Sequence, residues 1–158
     1  MKNYQELWVE TNEVAKIIDY TRTQSVELFG VDAIYTIQFT PVNPIGKDGI
    51  MTLSWTDQVE WNLGNDIVCK VETYQSFNQQ CAIDFAAKEI KILTIFKESD
   101  NYAAPITVTL EKLRNPVTNK GLKPFVIRTY DDQAQQYPID KLEYPPLTQC
   151  EYPCKRCS

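Results

Sequence analysis

The segment Asp32-Ala-Ile-Tyr-Thr-Ile-Gln-Phe39 alternates apolar and polar side chains along most of its length. Tyr35, Ile37 and Phe39 share one face of an extended chain, and the polar side chains between them share the other. Successive side chains of a β-strand point to opposite sides, so this period of two predicts a strand with one buried face.

Six further segments are similarly rich in β-branched and aromatic residues and are separated by clusters of Asn, Asp, Gly and Pro. They are residues 50–55, 67–74, 81–85, 89–96, 106–110 and 125–130. About seven short strands at this spacing are typical of an antiparallel β-sandwich, so we predict an all-β fold. Helical signals are short and weak, and we expect no helix of three turns.

Composition limits the classes of function. A chain of 158 residues is long enough for one domain with a hydrophobic core. Its net charge of −5 argues against a nucleic-acid partner, because the only basic cluster in the sequence is Lys155-Arg156. No apolar run approaches the roughly 18 residues of a membrane span, and Met1–Glu6 does not have the design of a signal peptide. If the protein is secreted, we expect its signal to lie outside this segment.

The sequence contains no histidine. This excludes Ser-His-Asp and Cys-His catalysis and most zinc enzymes, since histidine is the usual general base and the commonest metal ligand. There is also no glycine-rich phosphate loop among the five glycines. We therefore predict no enzymatic activity, no cofactor and no metal centre.

Cys69 and Cys81 each stand at an apolar position of their strand. If these two strands pair, the sulfurs come within range of a disulfide that closes a loop of about a dozen residues, worth about 2–3 kcal/mol. The alternative is a pair of buried reduced thiols. We predict the disulfide.

Three more cysteines, Cys150, Cys154 and Cys157, fall within the last nine residues. A zinc site lacks its fourth ligand, and a redox pair lacks the βαβ context in which such pairs occur. The remaining interpretation is that these residues begin a truncated cysteine-rich module, and an odd total of five cysteines agrees with it.

Acidic and aromatic residues suggest two possible binding sites. Asp131 and Asp132, with Asp140 nearby, are the best calcium candidates, although we expect a solvated acidic turn because calcium requires six to eight oxygens. An aromatic platform for a carbohydrate is the second possibility, although we expect core packing instead. Its candidates are Trp55, Trp61, Tyr35, Tyr74 and Tyr130.

The first of two distinctive stretches is Phe39-Thr-Pro-Val-Asn-Pro-Ile-Gly-Lys-Asp-Gly-Ile-Met-Thr-Leu-Ser-Trp55, and the second is Leu113–Thr118 followed by Phe125–Asp131. They resemble the segments that open and close an immunoglobulin-like domain in a family of large ciliate surface proteins. The resemblance implies an immunoglobulin-like sandwich with two internal cysteines, similar to Cys69 and Cys81. It also implies that Cys150 begins furin-like, growth-factor-receptor-type repeats.

These observations predict three regions: an N-terminal lead-in over 1–23, the sandwich over 24–146 and the start of the cysteine-rich module over 147–158. The predicted function is a structural or adhesive extracellular module of a multidomain surface protein or filament, in contact with neighbouring domains or copies of itself. One such contact would add Tyr4–Glu10 as an edge strand to a neighbour. The alternative is a glycan- or calcium-binding extracellular domain.

Overall fold

The computed structural model describes residues 14–47, 49–55, 59–61, 68–75, 79–97, 103–118, 123–131, 134 and 137–146. These residues form eleven β-strands and no helix. The strands are β1 (Ala15–Lys16), β2 (Tyr20–Gln24), β3 (Asp32–Phe39), β4 (Ile50–Ser54), β5 (Glu60–Trp61), β6 (Cys69–Glu72), β7 (Gln80–Asp84), β8 (Glu89–Leu93), β9 (Ile106–Arg114), β10 (Phe125–Tyr130) and β11 (Pro138–Tyr144).

The strands make two sheets that pack face to face as an immunoglobulin-like sandwich. The six-stranded sheet has the order β1-β11-β10-β4-β8-β7. The five-stranded sheet has the order β2-β3-β9, with β5 and β6 both pairing with the far side of β9. The β1–β11 pair is parallel, and the other pairs in these two sheets are antiparallel.

The core lies between the sheets and is apolar. Inward positions of the five-stranded sheet include Ile37 and Val108, which are directly opposite each other. Leu53 and Ile127 occupy the same kind of position in the six-stranded sheet and are fully buried. This alternation of buried and exposed residues is the period-two pattern of the sequence, and it confirms the predicted all-β sandwich.

All seven predicted strands are present, and four strands were not predicted as such. β1 and most of β2 lie within 1–23, which we expected to be a lead-in, yet β1 pairs with β11 and β2 with β3. The third is β5, which pairs with β9, and the fourth is β11, which pairs with β10. Tyr4–Glu10, the segment expected to add to a neighbouring sheet, lies outside the described residues.

The described chain enters and leaves the sandwich at opposite ends. At one end β3 finishes, β9 begins, and Ala15 of β1 pairs with Asp140 near the start of β11. β11 then runs toward the other end, where Pro145 accepts a hydrogen bond from the guanidinium of Arg22. We name the first the Asn43 end and the second the Asn115 end, after the side chains described below.

Candidate functional site

A disulfide between Cys69 and Cys81 joins the two sheets along one side of the sandwich. The two Cα atoms are 6.3 Å apart, within the range that a disulfide spans. The bond was predicted, but the expected pairing of its two strands was wrong. β6 pairs with β9 in the five-stranded sheet, whereas β7 pairs with β8 at the edge of the six-stranded sheet. The bond therefore connects the sheets rather than two strands of one hairpin.

At one end of the sandwich, a buried amide ties a loop to β3 and β9. Asn115 directly follows β9 and is 1% exposed. Its Nδ2 donates to the carbonyls of Val26 and Leu28, both at 2.8 Å. Its Oδ1 accepts from Gln24 Nε2 at 2.7 Å and from the hydroxyl of Tyr35. Both donors and both acceptor positions of the amide are used, and we name this group the Asn115 corner.

At the other end, a second Asn-Pro segment contacts a buried carboxylate. Asn43 lies between β3 and β4, and its Nδ2 donates to Asp140 Oδ1 at 2.8 Å and to the carbonyl of Ile139 at 3.1 Å. Its backbone N–H also lies 3.1 Å from Asp140 Oδ2. Asp140 is fully buried, whereas Asn43 is half-buried. We name this group the Asn43 corner.

The calcium candidates therefore differ in burial and in hydrogen bonding. Asp140 faces the interior and binds Asn43, Asp131 is exposed after β10, and Asp132 lies outside the described residues. Within the ranges that the structure describes, no three Asp, Glu or Cys side chains form a group able to hold a metal ion.

The aromatic candidates are spread over the fold. Tyr35 and Trp55 are core residues at 4% and 6% exposure, whereas Tyr74 is 56% exposed and Tyr130 is half-buried. The side chain of Trp61 lies outside the described residues. The expected core packing therefore holds for Tyr35 and Trp55.

Two tyrosines near the Asn115 end are held in the neutral form by their surroundings. Burial raises the pKa of Tyr35 above the ordinary value of 10. Burial, with a smaller contribution from Tyr35, also raises the pKa of Tyr144. Phe125 connects the two rings, with its centroid 5.4 Å from that of Tyr35 and 5.1 Å from that of Tyr144.

The outer face of the six-stranded sheet carries four cationic residues in one row across the strands. The pairing register places Lys16 beside Lys141, Lys141 opposite Arg128, Arg128 opposite Thr52, and Thr52 opposite Lys91. Residues that are direct partners in the register lie on the same side of a sheet. We name Lys16, Lys141, Arg128 and Lys91 the basic row. The sequence alone does not predict this row, because its members come from four strands and have no common spacing in the chain.

An acidic row lies next to the basic row, toward the Asn115 end. It contains Glu143, Glu89 and Asp84, each two residues from a register position of the basic row. Glu143 makes an ion pair with Lys141 at 2.6 Å. The hydrogen bond and charge of Lys141, and the charges of Lys16 and Arg128, lower the pKa of Glu143.

A shallow depression is present on the surface of the described residues. It lies at the start of β2, has a volume of about 160 Å³, and is lined in part by Asp19, Tyr20 and Pro105. Small-molecule sites usually enclose about 300–1,000 Å³. Cys150, Cys154 and Cys157 lie outside the described residues. Among the residues that the structure describes, no helix is long and apolar enough to cross a membrane.

Comparison with known proteins identifies the fold alone. No family model and no curated protein sequence matches this chain. BslA, a bacterial hydrophobin, aligns over 86% of this chain and 98% of its own, with a TM-score of 0.50 and 9% identity. The N-terminal domain of the Streptococcus gordonii adhesin Sgo0707 aligns over 84% of this chain with a TM-score of 0.50 and 14% identity. This chain covers 34% of that adhesin structure. The chain thus shares its β-sandwich with a hydrophobin and an adhesin domain.

Proposed function

We propose that this domain is a non-catalytic structural or adhesive module of a multidomain protein, located outside the cell or on its surface. The path of the chain carries the proposal. The described chain enters at the Asn43 end and leaves at the Asn115 end, so segments that adjoin it on its two sides would join it at opposite ends. Domains arranged in this way stack end to end, as a stalk or surface filament requires.

The disulfide supports an extracellular location. Bonds of this kind persist in oxidising compartments and are rare in the cytosol. The Cys69–Cys81 bond joins the two sheets, so it resists their separation when the domain is pulled or heated. On the chain-entropy account it contributes about 2–3 kcal/mol.

The buried polar groups support a structural role. Asn115, Tyr35, Asn43 and Asp140 are hydrogen bonded to other parts of the fold, where they hold loops onto strands. A catalytic group would instead face a cleft that admits substrate. The fold also occurs in a protein named as an adhesin.

The cysteine-rich tail remains part of the proposal. Cys150, Cys154 and Cys157 would begin a furin-like module, as the resemblance to ciliate surface proteins implies, and that module would extend from the Asn115 end. Calcium binding has less support than adhesion, because the carboxylate of Asp140 is already bonded to Asn43.

Location can be tested in the cells that make the protein. We expect an antibody against the folded domain to label intact cells, with no increase in labelling per cell after permeabilisation. We also expect a thiol-reactive maleimide to modify Cys69 and Cys81 of the cell-derived protein only after reduction. Labelling that requires permeabilisation would contradict the proposal, as would free thiols at these two positions.

A further inference from the structure

The spacing of the basic row suits a repeating anion. Lys16, Lys141 and Arg128 stand on three neighbouring strands, and Lys91 stands two strands further on. Neighbouring strands are about 4.8 Å apart, so the row spans about 19 Å. Like charges directly opposite each other destabilise a strand pair. This row therefore costs stability unless an anion binds along it.

Charges within the same strands do not balance the row. In β1, β10 and β11 the only outward-facing acidic residue is Glu143, against three outward-facing cations. Glu143 binds Lys141, which leaves Lys16 and Arg128 as surplus positive charge on these three strands. The charges of Lys16 and Arg128 both contribute to the lowered pKa of Glu143, so both cations act on this carboxylate.

A polar atom at the centre of the row has no partner in the described structure. Thr52 faces outward between Arg128 and Lys91, yet it is only 1% exposed. Its Oγ1 makes no hydrogen bond among the described residues. Buried hydroxyls are usually hydrogen bonded, so a ligand oxygen at the centre of the row would add a hydrogen bond to Thr52 once the side chains that cover it shift.

The two rows beside the basic row determine the class of ligand. Toward the Asn115 end lies the acidic row, which repels an anion. Toward the Asn43 end, the outward positions of β8, β10 and β11 are Leu93, Tyr130 and Pro138, which carry no charge, and exposed Asp131 follows Tyr130; Leu93 is 36% exposed. Sugar rings have apolar faces that pack on such side chains, and acidic sugars also carry the anions that the basic row would bind.

We propose that the outer face of the six-stranded sheet binds a linear anionic polysaccharide, whose carboxylate or sulfate groups pair with the basic row and whose rings lie toward Tyr130. This inference rests on the proposed adhesive function and adds a class of ligand to it. Carboxylated and sulfated polymers share the necessary chemistry. Nucleic acid carries the same kind of repeating anion, so a single-stranded oligonucleotide serves as the competing ligand in the test.

Binding of the 158-residue chain to immobilised polygalacturonate, heparin and neutral dextran tests this proposal. We expect binding to at least one anionic polymer, no binding to dextran, and an affinity that falls at least tenfold between 50 and 200 mM salt. The double variant Lys141→Gln and Arg128→Gln should raise Kd about tenfold or more. Glu143→Gln should lower Kd about threefold, because it removes the nearest repelling carboxylate.

Lys70→Gln is the matched control. Lys70 pairs with Glu72 at 2.8 Å in the same in-strand arrangement as Lys141 with Glu143, but on the five-stranded sheet. It should leave Kd unchanged. An equal loss in Lys70→Gln, equal binding to dextran or to a single-stranded oligonucleotide, or no effect of the double variant would overturn the proposal. These readouts use purified protein, so they fail independently of the cell-labelling test of location.

Discussion

Two Asn-Pro segments close the sandwich at opposite ends, and they do so with different chemistry. Asn115 is almost fully buried, and its amide bonds only to uncharged groups. Asn43 is half-buried, and its amide and backbone N–H bond to the carboxylate of Asp140. The difference shows that the same dipeptide can close a corner in two ways. Its amide can be buried among uncharged partners, or it can be half-buried and bonded to a carboxylate.

The proline explains why both positions can work as corners. Proline restricts the preceding residue to an extended conformation and ends the strand ladder, because it has no N–H to donate. The Asn side chain is then free to bond to a segment far away in the sequence. Asn115 reaches Val26 and Leu28, while Asn43 reaches Ile139.

We expect Asn115→Ala to produce the largest loss of stability in the comparison, about 3–4 kcal/mol. The change leaves the carbonyl of Leu28 and the buried hydroxyl of Tyr35 without this partner, while Gln24 Nε2 still donates to the carbonyl of Val26 at 3.1 Å. Each buried polar group left unpaired costs about 1–3 kcal/mol. Urea denaturation at neutral pH measures the loss.

Val117→Ala is the control for this variant, because Val117 lies two residues away and is 71% exposed. It should stay within about 0.5 kcal/mol of the wild type. A loss below about 1 kcal/mol in Asn115→Ala would show that water replaces the hydrogen bonds of the missing amide.

The Asn115 end should also make the domain sensitive to alkali. Folded Tyr35 and Tyr144 keep their protons at a pH where the unfolded chain releases them, because burial raises the pKa of each. The unfolded state then binds fewer protons, so stability falls as pH rises above about 10. At pH 11 we expect a loss of about 1.4 kcal/mol per tyrosine, or about 3 kcal/mol for both.

Tyr35→Phe separates the two contributions. At pH 7 it should cost about 1 kcal/mol, because the hydrogen bond to Asn115 is lost. Between pH 7 and pH 11 its further loss should be about half that of the wild type. Urea midpoints at both pH values give the comparison, and an unchanged pH dependence in the variant would contradict the assignment to Tyr35.

Asn43→Ala should destabilise the fold less than Asn115→Ala, by about 2 kcal/mol. The side-chain bonds to Asp140 and Ile139 are lost, but the backbone N–H of residue 43 still faces the carboxylate. Because the corner is half-buried, water can also replace part of the amide. Val42→Ala is the exposed control, and a loss in Asn43→Ala that matches Asn115→Ala would remove the distinction between the corners.

Two of the four strands that sequence reasoning missed, β2 and β11, help to build these corners. β2 places Arg22 and Gln24 at inward positions, and β11 does the same with Asp140, so neither segment shows the alternation of apolar and polar residues. Gln24 belongs to the Asn115 corner and Asp140 to the Asn43 corner. A local pattern fails at such positions because a long-range hydrogen bond there replaces apolar burial.

The candidate site was less predictable than the fold. Both cysteines stand at apolar positions of their strands, and this was enough to predict the Cys69–Cys81 bond. It was not enough to predict that β6 and β7 belong to different sheets, because that depends on the pairing of β6 with β9 and of β7 with β8. The basic row likewise exists only because the register aligns residues 16, 141, 128 and 91. Register is a long-range property, set by how two sheets bury their faces together.

For the glycines we expect the opposite order: a substitution at the Asn43 end should cost more stability than one at the Asn115 end. At the Asn43 end, a Cβ on Gly49 would lie 2.4 Å from Ile45 Cγ2 and 3.0 Å from the carbonyl oxygens of Gly46 and Tyr130. At the Asn115 end, Gly30 has a positive φ of 68°, but a Cβ would meet Val117 Cγ1 at an ordinary 3.6 Å. The first glycine is required by lack of space and the second by its backbone conformation.

We therefore expect Gly49→Ala to cost about 2 kcal/mol and Gly30→Ala about 1 kcal/mol, as measured by urea denaturation. Gly30→Asn is the informative partner variant, because asparagine tolerates a positive φ better than alanine and should recover part of the loss. The same recovery in Gly49→Asn would show that backbone conformation, and not space, limits that position. If Gly30→Ala is the more damaging change, the Asn115 end is the more tightly constrained in both its polar contacts and its backbone.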